Sequence, residues 1–263
     1  MAGYFGTPHQ QHLQQRVDKL SGLLASTPGL CNAGRMISAD DIDHVGFDAV
    51  LEMLELDGGF GFRLVPQART SAITERLAAH GHRLDWWDTF MADSDVALDV
   101  SKRLVAPGPP SGFKHVNLSG LDPDAGYKEM QAFLVANGIA PFSGSMLAGE
   151  WTKAKAFALV DDREEIVASS FAYMPHNDFS QFRDFAWAGL VAVSPEQRGK
   201  QLGTYINACA VVCAFTELGA STVYEQVSAT NMASRRMVEA CGLTLHPDLK
   251  SGLASTGSEV FTR

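Results

Sequence analysis

The sequence predicts an α/β layered fold with a mixed sheet, and two patterns in its second half carry that prediction. Runs rich in β-branched and aromatic residues alternate there with runs of helical periodicity. The helix-like runs stop at glycines, namely Gly138, Gly219 and Gly242. A charged turn at 161–164 (DDRE) also joins two strand-like runs, as in a β-hairpin. Strands and helices in alternation favour helices packed on a sheet.

The elements of this second half follow in the order β-β-β-α-β-α-β after an initial helix. That helix is expected over 122–138, with Asp122 or Asp124 near its start. The remaining elements are the hairpin strands within 155–174, a strand over 182–193, a helix over 201–218, a strand over 221–229, a helix over 231–241 and a terminal strand over 258–263.

The segment VAPGPPSGF (105–113) predicts a connection between two parts of the chain, because it holds three prolines and two glycines. We therefore expect an N-terminal α/β region over 1–110 and a second domain over 111–263. The first region shows a helix-like segment at 10–26, a strand at 60–65, a helix at 70–81 and a strand at 83–92.

The N-terminal region carries no chemical motif, and three roles stay open for it. The stretch ITERLAAHGHRLDWW resembles SRRMVEACGLTLH in having a helix, a glycine and then a strand. The region could thus be a degenerate copy of the second domain, a lid or a dimerisation domain. A homodimer stays open as well.

Composition predicts a soluble globular protein in the cytoplasm. The 263 residues are 46% hydrophobic and carry a net charge of -9, which argues against a broad nucleic-acid surface. The N-terminus lacks the features of a secretory signal. The longest apolar run, YINACAVVCAF (205–215), falls short of the ~20 residues that span a bilayer. No nucleic-acid or membrane partner is expected.

The four cysteines predict no metal site. Cys31, Cys209, Cys213 and Cys241 form no CxxC pair, and no histidine stands at ligand spacing beside them. Buried free thiols are the expected state.

The stretch VAVSPEQRGKQLG (191–203) predicts an anion-binding turn. A strand runs through a turn into a helix, whose first N–H groups lack intrahelical acceptors and carry the positive end of the helix dipole. Gly199 and Gly203 lack a Cβ, so a phosphate can approach the backbone closely. Arg198 and Lys200 add charged donors. The alternative is a solvated basic turn that caps a helix.

A second strand–turn–helix follows in SATNMASRRMVEACGL (228–243). Asn231 is a good N-cap, and its side chain could equally bind an amide-bearing ligand. Ser234 and Arg235 add donors in the first turn. Glu239 stands four residues after Arg235, so a purely structural ion pair is the other interpretation.

Together the two segments resemble the motifs of the GNAT (GCN5-related N-acetyltransferase) superfamily, and the resemblance covers about 122–243. It implies a GNAT-like, mainly antiparallel mixed sheet flanked by helices. It also implies an acetyl-CoA cosubstrate and acetyl transfer to the amine of a small molecule or amino acid derivative. Backbone groups of the first strand would pair with pantetheine. The implied cofactor-binding residues are Leu190, Val191, Val193, Gln197, Arg198, Gly199, Lys200, Gln201, Leu202, Gly203, Thr204, Asn231, Ser234 and Arg235.

Three departures from the family pattern leave the chemistry open. Gln201 replaces a glycine of the usual turn, Val238 stands where many relatives carry a tyrosine general acid, and no carboxylate follows Trp187 in its strand. Glu225 is our first candidate for the general base and Asp184 the second. The alternative function is a catalytically weak acyl-CoA-binding sensor or interaction module. For the acceptor, LDWWDTF (84–90) would suit a cation, or it belongs to the core.

Overall fold

The computed structural model describes residues 3–118 and 123–257, which form a ten-stranded sheet with helices on both faces. The strands are β1 (Leu30–Asn32), β2 (Ile37–Ala39), β3 (Gly59–Pro66), β4 (Arg83–Asp93), β5 (Lys114–His115), β6 (Ala154–Val160), β7 (Ile166–Tyr173), β8 (Phe185–Val193), β9 (Thr222–Val227) and β10 (Thr244–Ser255).

Side-chain N-caps begin four helices of the described residues, namely Thr7, Asp41, Ser143 and Asn231. Thr7 and Gln10 form a capping box at the first helix, and Asp41 caps the third. The helices are α1 (Pro8–Lys19), α2 (Ser21–Ser26), α3 (Ile42–Val45), α4 (Phe47–Asp57), α5 (Gln67–Ala79), α6 (Ser94–Val105), α7 (Pro123–Ala136), α8 (Gly144–Leu147), α9 (Leu202–Thr216) and α10 (Met232–Ala240).

The strand order is β1-β2-β3-β10-β4-β9-β8-β7-β6-β5, and the parallel and antiparallel pairings are arranged symmetrically about the β10–β4 pair. The antiparallel pair β10–β4 lies in the middle. On one side β10 pairs with β3, which runs parallel to β2; on the other side β4 pairs with β9, which runs parallel to β8. β4, the last strand of the N-terminal region, therefore lies beside β9 of the second domain, and β10, the last strand of the second domain, lies beside β3 of the N-terminal region. This pseudo-symmetry supports the interpretation of the N-terminal region as a degenerate copy.

β8 and β9 separate part-way along their length. They pair in parallel from Phe185↔Thr222 to Trp187↔Tyr224, and the ladder stops there although β8 continues to Val193. Beyond Trp187, no strand of the described residues pairs with that edge of β8. The sheet consequently opens into a V at this point.

Apolar clusters cover the two faces of the sheet. α9 is apolar on all sides and packs with α6 against one face, where Phe90, Val223 and Val238 are fully buried. On the other face the rings of Phe142, Phe171 and Tyr173 pack together beneath α7 and α8. A helix that is apolar all round belongs between layers, as α9 does.

The mixed, mainly antiparallel sheet is confirmed. The segment 105–113 begins at the last residue of α6 and contains no strand, and a domain boundary there stays a prediction. The predicted helix at 10–26 is two helices that meet at Leu20. Reasoning from the sequence did not predict α4, α6 or β10. In β10 the register with β4 shifts between Leu245 and Lys250, and this irregularity obscures the alternation of inward-facing and outward-facing residues in the sequence. Asp122 and the predicted strand at 258–263 lie outside the described residues.

Candidate active site

A cavity of about 1140 Å³ occupies the V between β8 and β9 and reaches both faces of the sheet. At one end lie the turn before α9 and the start of α10. At the other end lie residues of β3, β4 and the turn between β1 and β2. Every predicted cofactor-binding residue lines this cavity except Lys200 and Arg235.

The N-terminus of α9 presents backbone donors to the cavity. The first helical hydrogen bond runs from the Tyr205 N–H to the Gln201 carbonyl, so the N–H groups of Leu202, Gly203 and Thr204 have no acceptor within the helix. No side chain caps them among the described residues. A Cβ at Gly203 would lie 3.5 Å from the side chains of Met237 and Val193, so this glycine brings the helix close to β8 and α10.

Gln201 adopts a left-handed backbone conformation with φ of 60° and ψ of 13°. This conformation explains why a glycine suits the position, because a Cβ there is sterically unfavourable. The side chain is exposed, and Gly199 two residues earlier also has a positive φ of 81°. The backbone therefore takes the left-handed conformation with a glutamine in place, and the glutamine side chain is directed to solvent.

The two basic residues of the turn differ in their contacts. Arg198 is exposed and lines the cavity. The Nζ atom of Lys200 donates to Oε1 of Gln197 at 2.5 Å and lies 5.5 Å from the ring centre of Phe113. Arg198 is thus the basic residue of this turn that lines the cavity.

β8 carries a bulge at the mouth of the V. Its register with β7 shifts between Gly189 and Ala192, and Leu190 takes a positive φ of 51°. The Ser169 hydroxyl donates to the Leu190 carbonyl at 3.1 Å and holds the bulge from the β7 side. Bulges of this kind redirect backbone groups beside active sites.

The start of α10 confirms Asn231 as an N-cap, since its Oδ1 accepts from the Ser234 N–H at 3.1 Å. Arg235 does not line the cavity: it pairs with Asp88 and stacks 4.9 Å from the ring centre of Phe90. The next residue, Arg236, lines the cavity instead. The alternative interpretation was an ion pair of Arg235 with Glu239, and the observed partner is instead Asp88 of β4, which the sequence spacing could not show.

Glu225 is the buried acid of the site. Only 3% of the residue is exposed, and burial raises the pKa of its carboxyl to about 8, with partial opposition from a 2.7 Å hydrogen bond donated by Asn207. The residue lines the cavity at the open end of β9. A carboxyl that titrates near neutral pH and borders a cavity suits proton transfer.

Asp184 does not approach the cavity. Its side chain is exposed and pairs with Arg183 at 3.6 Å, at the opposite end of β8 from the bulge. Val238 does line the cavity and is fully buried, so the position where many relatives have an acid holds an apolar wall.

The LDWWDTF segment forms β4, and its carboxylates are already paired. Asp88 binds both Arg235 and Lys250, and Asp85 binds Arg83. Trp86 donates to Thr74, while Trp87 lines the cavity. Since neither carboxylate is left to a cationic acceptor, this segment supports the core interpretation.

A group of ligand-type side chains that the sequence reasoning missed lies where the two parts of the chain meet. Cys31, Asp40 and His176 place one potential ligand atom each within 4.8 Å of one another, all buried. His176 bonds Asp40 at 2.5 Å through Nδ1 and the Tyr224 hydroxyl at 3.1 Å through Nε2. The Cys31 sulfur lies 3.1 Å from the Ser38 hydroxyl, so each of the three side chains already has a hydrogen-bond partner. Spacing along the chain gives no signal for this group.

Comparison with known proteins agrees with this geometry. Residues 138–243 match the model of the acetyltransferase (GNAT) family. Among the described residues, no helix is both long and apolar enough to cross a membrane. Comparison with curated proteins finds no match.

Solved structures share the fold at low sequence identity. A GCN5-related N-acetyltransferase from Kribbella flavida is 13% identical, with a TM-score of 0.54 over 84% of this chain and 81% of that one. A GNAT-family acetyltransferase from Novosphingobium aromaticivorans is 13% identical, with a TM-score of 0.54 over 96% and 100%. A tandem GNAT protein from the clavulanic acid biosynthesis pathway is 14% identical, with a TM-score of 0.52 over 98% and 91%.

Proposed function

We propose that this protein is an acetyl-CoA-dependent N-acetyltransferase that acts on the amine of a small molecule. The observation that carries the proposal is the cavity itself, which joins the uncapped N-terminus of α9, the open edge of β8 and the buried carboxyl of Glu225. Anion binding, strand pairing and proton transfer are thereby available within one space.

The residues present fit the parts of acetyl-CoA. The three free N–H groups at the start of α9 and the Arg198 guanidinium match a diphosphate, and Gly203 leaves the backbone accessible. The β8 edge beyond Trp187 matches the amide groups of pantetheine, which can pair as an added strand. Arg236 of α10, which lines the cavity, matches the nucleotide phosphate.

Acetyl-CoA would supply the activated acyl group. The amine nitrogen forms a bond to the thioester carbon, the carbon–sulfur bond breaks, and Glu225 accepts the proton that the nitrogen loses. The ionised carboxylate is the base, so the reaction depends on the fraction of Glu225 that is deprotonated. Backbone N–H groups at the β8 bulge would polarise the thioester carbonyl.

One observation favours the alternative, an acyl-CoA-binding module with weak catalysis. Val238 borders the cavity with no proton to donate to the departing thiolate. A thiolate leaves without an acid far more readily than an alkoxide, because a thiol has a pKa of about 8.5. We therefore favour the enzyme hypothesis over the binding module.

Thermal unfolding and release of free CoA thiol test the two hypotheses. Saturating acetyl-CoA should raise the unfolding midpoint, because a ligand that binds only the folded state stabilises it. Arg198→Glu should remove most of that rise. Arg103→Glu makes the same charge change at an exposed residue of α6 that does not line the cavity, and this variant should keep the rise. An unchanged midpoint for the wild-type protein contradicts the cosubstrate.

Thiol release in the presence of an amine panel then separates enzyme from binding module. Turnover that Glu225→Gln abolishes supports the transferase, whereas binding without turnover on any amine supports the module.

A further inference from the structure

We propose that the end of the cavity formed by the N-terminal region is a carboxylate subsite, so the acceptor amine carries a carboxylate, as amino acids and short peptides do. The inference rests on the proposed transferase function and names its substrate class. Its centre is Arg63 of β3, a cavity-lining arginine that is only 5% exposed.

Arg63 carries a positive charge that the described residues do not neutralise. No carboxylate among them lies within 4.0 Å of its guanidinium. Its Nη2 atom makes two long contacts of 3.4 Å, to the Ala33 carbonyl and to the Tyr173 hydroxyl. Its Nη1 atom is buried without a hydrogen-bond partner. A buried unpaired cation is costly, and an anionic ligand is the partner that removes the cost.

Two more buried donors without partners line the same cavity. Trp187 has no acceptor for its Nε1 atom, and Gln226 has none for its Nε2 atom. The guanidinium of Arg63 lies 5.5 Å from the centre of the Trp187 ring. A carboxylate accepts hydrogen bonds and donates none, so it matches a set made of donors. Arginine binds this planar group through two parallel bonds.

A second guanidinium reinforces the positive potential. Arg35, in the turn between β1 and β2, lines the cavity 5.2 Å from the ring centre of Phe142. Burial and the nearby charge of Arg63 lower the pKa of Arg35 to about 10. Both arginines therefore remain charged at neutral pH. This local charge contrasts with the net charge of -9 for the whole chain.

The position of this set points to the acceptor rather than to CoA. Glu225 bonds Asn207 of α9, so it lies on the α9 face of the sheet. Arg63 contacts Tyr173 and Trp187, whose rings pack together on the opposite face. The N-terminus of α9 and the arginines thus stand on opposite sides of the V, and the cavity connects them. An amine held by its carboxylate near Arg63 would enter from the face opposite the diphosphate.

The main test varies the ligand, because this leaves the protein unchanged. Calorimetric titration of the CoA-saturated wild-type protein would compare the twenty common amino acids, as free acids, with their carboxamides and with the decarboxylated amines. We expect at least one acid to bind more tightly than its carboxamide by roughly 10- to 100-fold, the range for a hydrogen bond to a charged group. Equal binding of acid and carboxamide, or no binding of any acid, would overturn the subsite.

Variants of Arg63 test whether this residue causes the preference for the acid. Arg63→Gln should abolish the preference for the acid, and Arg63→Lys should keep part of it because the charge remains. Arg103→Gln, at an exposed residue of α6, is the matched control and should keep the full preference. A preference that survives Arg63→Gln in a folded protein would overturn the assignment of Arg63.

Two further experiments distinguish this proposal from two others. The first is the proposed cosubstrate, on which the subsite rests, and the second is a carboxylate carried by the acyl group instead of the acceptor. If acetyl-CoA leaves the unfolding midpoint unchanged while amino acids still bind, the cosubstrate fails and the subsite stands. If succinyl-CoA replaces acetyl-CoA with higher kcat/KM and Arg63→Gln removes that advantage, the carboxylate belongs to the acyl group. The acceptor assignment is then wrong.

Discussion

Asn207 of α9 donates a 2.7 Å hydrogen bond to Glu225 of β9, and this bond ties the helix whose N-terminus faces the cavity to its buried acid. Asn207 and Glu225 are both almost fully buried, so the bond is shielded from water. A carboxyl that is buried with one amide partner keeps its proton up to about pH 8. The site therefore holds a group whose charge changes in the range where enzymes work.

The first prediction concerns the pH dependence of activity. Because Glu225 must be ionised to act as a base and its pKa is about 8, kcat/KM should increase as pH rises through that value. Glu225→Gln should lower the rate by roughly 100-fold or more and remove this limb of the profile. Initial rates of thiol release, with an acceptor amine whose pKa lies above 9, would measure it. An unchanged profile in Glu225→Gln would exclude this residue as the base.

The second prediction concerns stability and the same group. The folded pKa of about 8 exceeds the unfolded value of 4.5, so the folded state binds the extra proton between these values. The contribution of Glu225 to the free energy of unfolding is therefore present at low pH and is lost as the pH rises towards 8. Wild-type protein should lose roughly 3 kcal/mol relative to Glu225→Gln between about pH 5 and 8. Denaturant titrations at both pH values would show the difference, and parallel curves would contradict it.

The third prediction separates ligand binding from folding at the start of α9. A Cβ at Gly203 meets its nearest neighbours at 3.5 Å, an ordinary contact distance. Gly203→Ala should therefore leave the free energy of unfolding unchanged or raise it by up to about 1 kcal/mol. It should still weaken acetyl-CoA binding, because the methyl group occupies the approach to the helix N-terminus. Gly22→Ala in α2, where a Cβ meets nothing within 4 Å, is the control for both measurements.

The fourth prediction contrasts two adjacent arginines. Arg235 pairs with Asp88, so Arg235→Gln should cost about 1 kcal/mol of stability with little effect on acetyl-CoA affinity. Arg236 lines the cavity and is exposed, so Arg236→Gln should weaken acetyl-CoA binding at constant stability. Calorimetric titration and thermal unfolding of both variants would check the contrast. The opposite pattern would mean that α10 presents its other face to the ligand.

The fifth prediction concerns the base of the V. A Cβ at Gly189 would lie 2.3 Å from the Trp187 ring, which folds across this glycine. Gly189→Ala should displace the indole, shift its fluorescence and destabilise the protein by about 1–3 kcal/mol. If the acceptor binds beside Trp187, its KM should rise as well. An unaltered emission spectrum in a protein of unchanged stability would contradict the packing described here.

The turn before α9 was predictable from sequence because it depends on neighbours in the chain. Strand, glycine-bearing turn and helix occur within 191–203, and their backbone donors follow from helix geometry alone. Asn231 was equally predictable, since an N-cap bonds the residue three positions later. Even the difficulty at Gln201 was visible in the sequence, although only the structure shows that the residue adopts the left-handed conformation.

The partners across the sheet were decided by the tertiary structure. β10 lies between β3 and β4, and this arrangement brings Arg63 from the N-terminal region to the end of the cavity opposite α9. The choice between Arg235 and Arg236 depended on Asp88, which stands 147 positions earlier than Arg235.

What the sequence determined by itself, then, is the set of local elements and the donor-rich turn, because dihedral preferences and helix ends act over a few residues. What only the tertiary structure decided is which charges are neutralised and which face the cavity. Those depend on contacts between distant segments, and the burial that makes Glu225 a weak acid arises from such contacts.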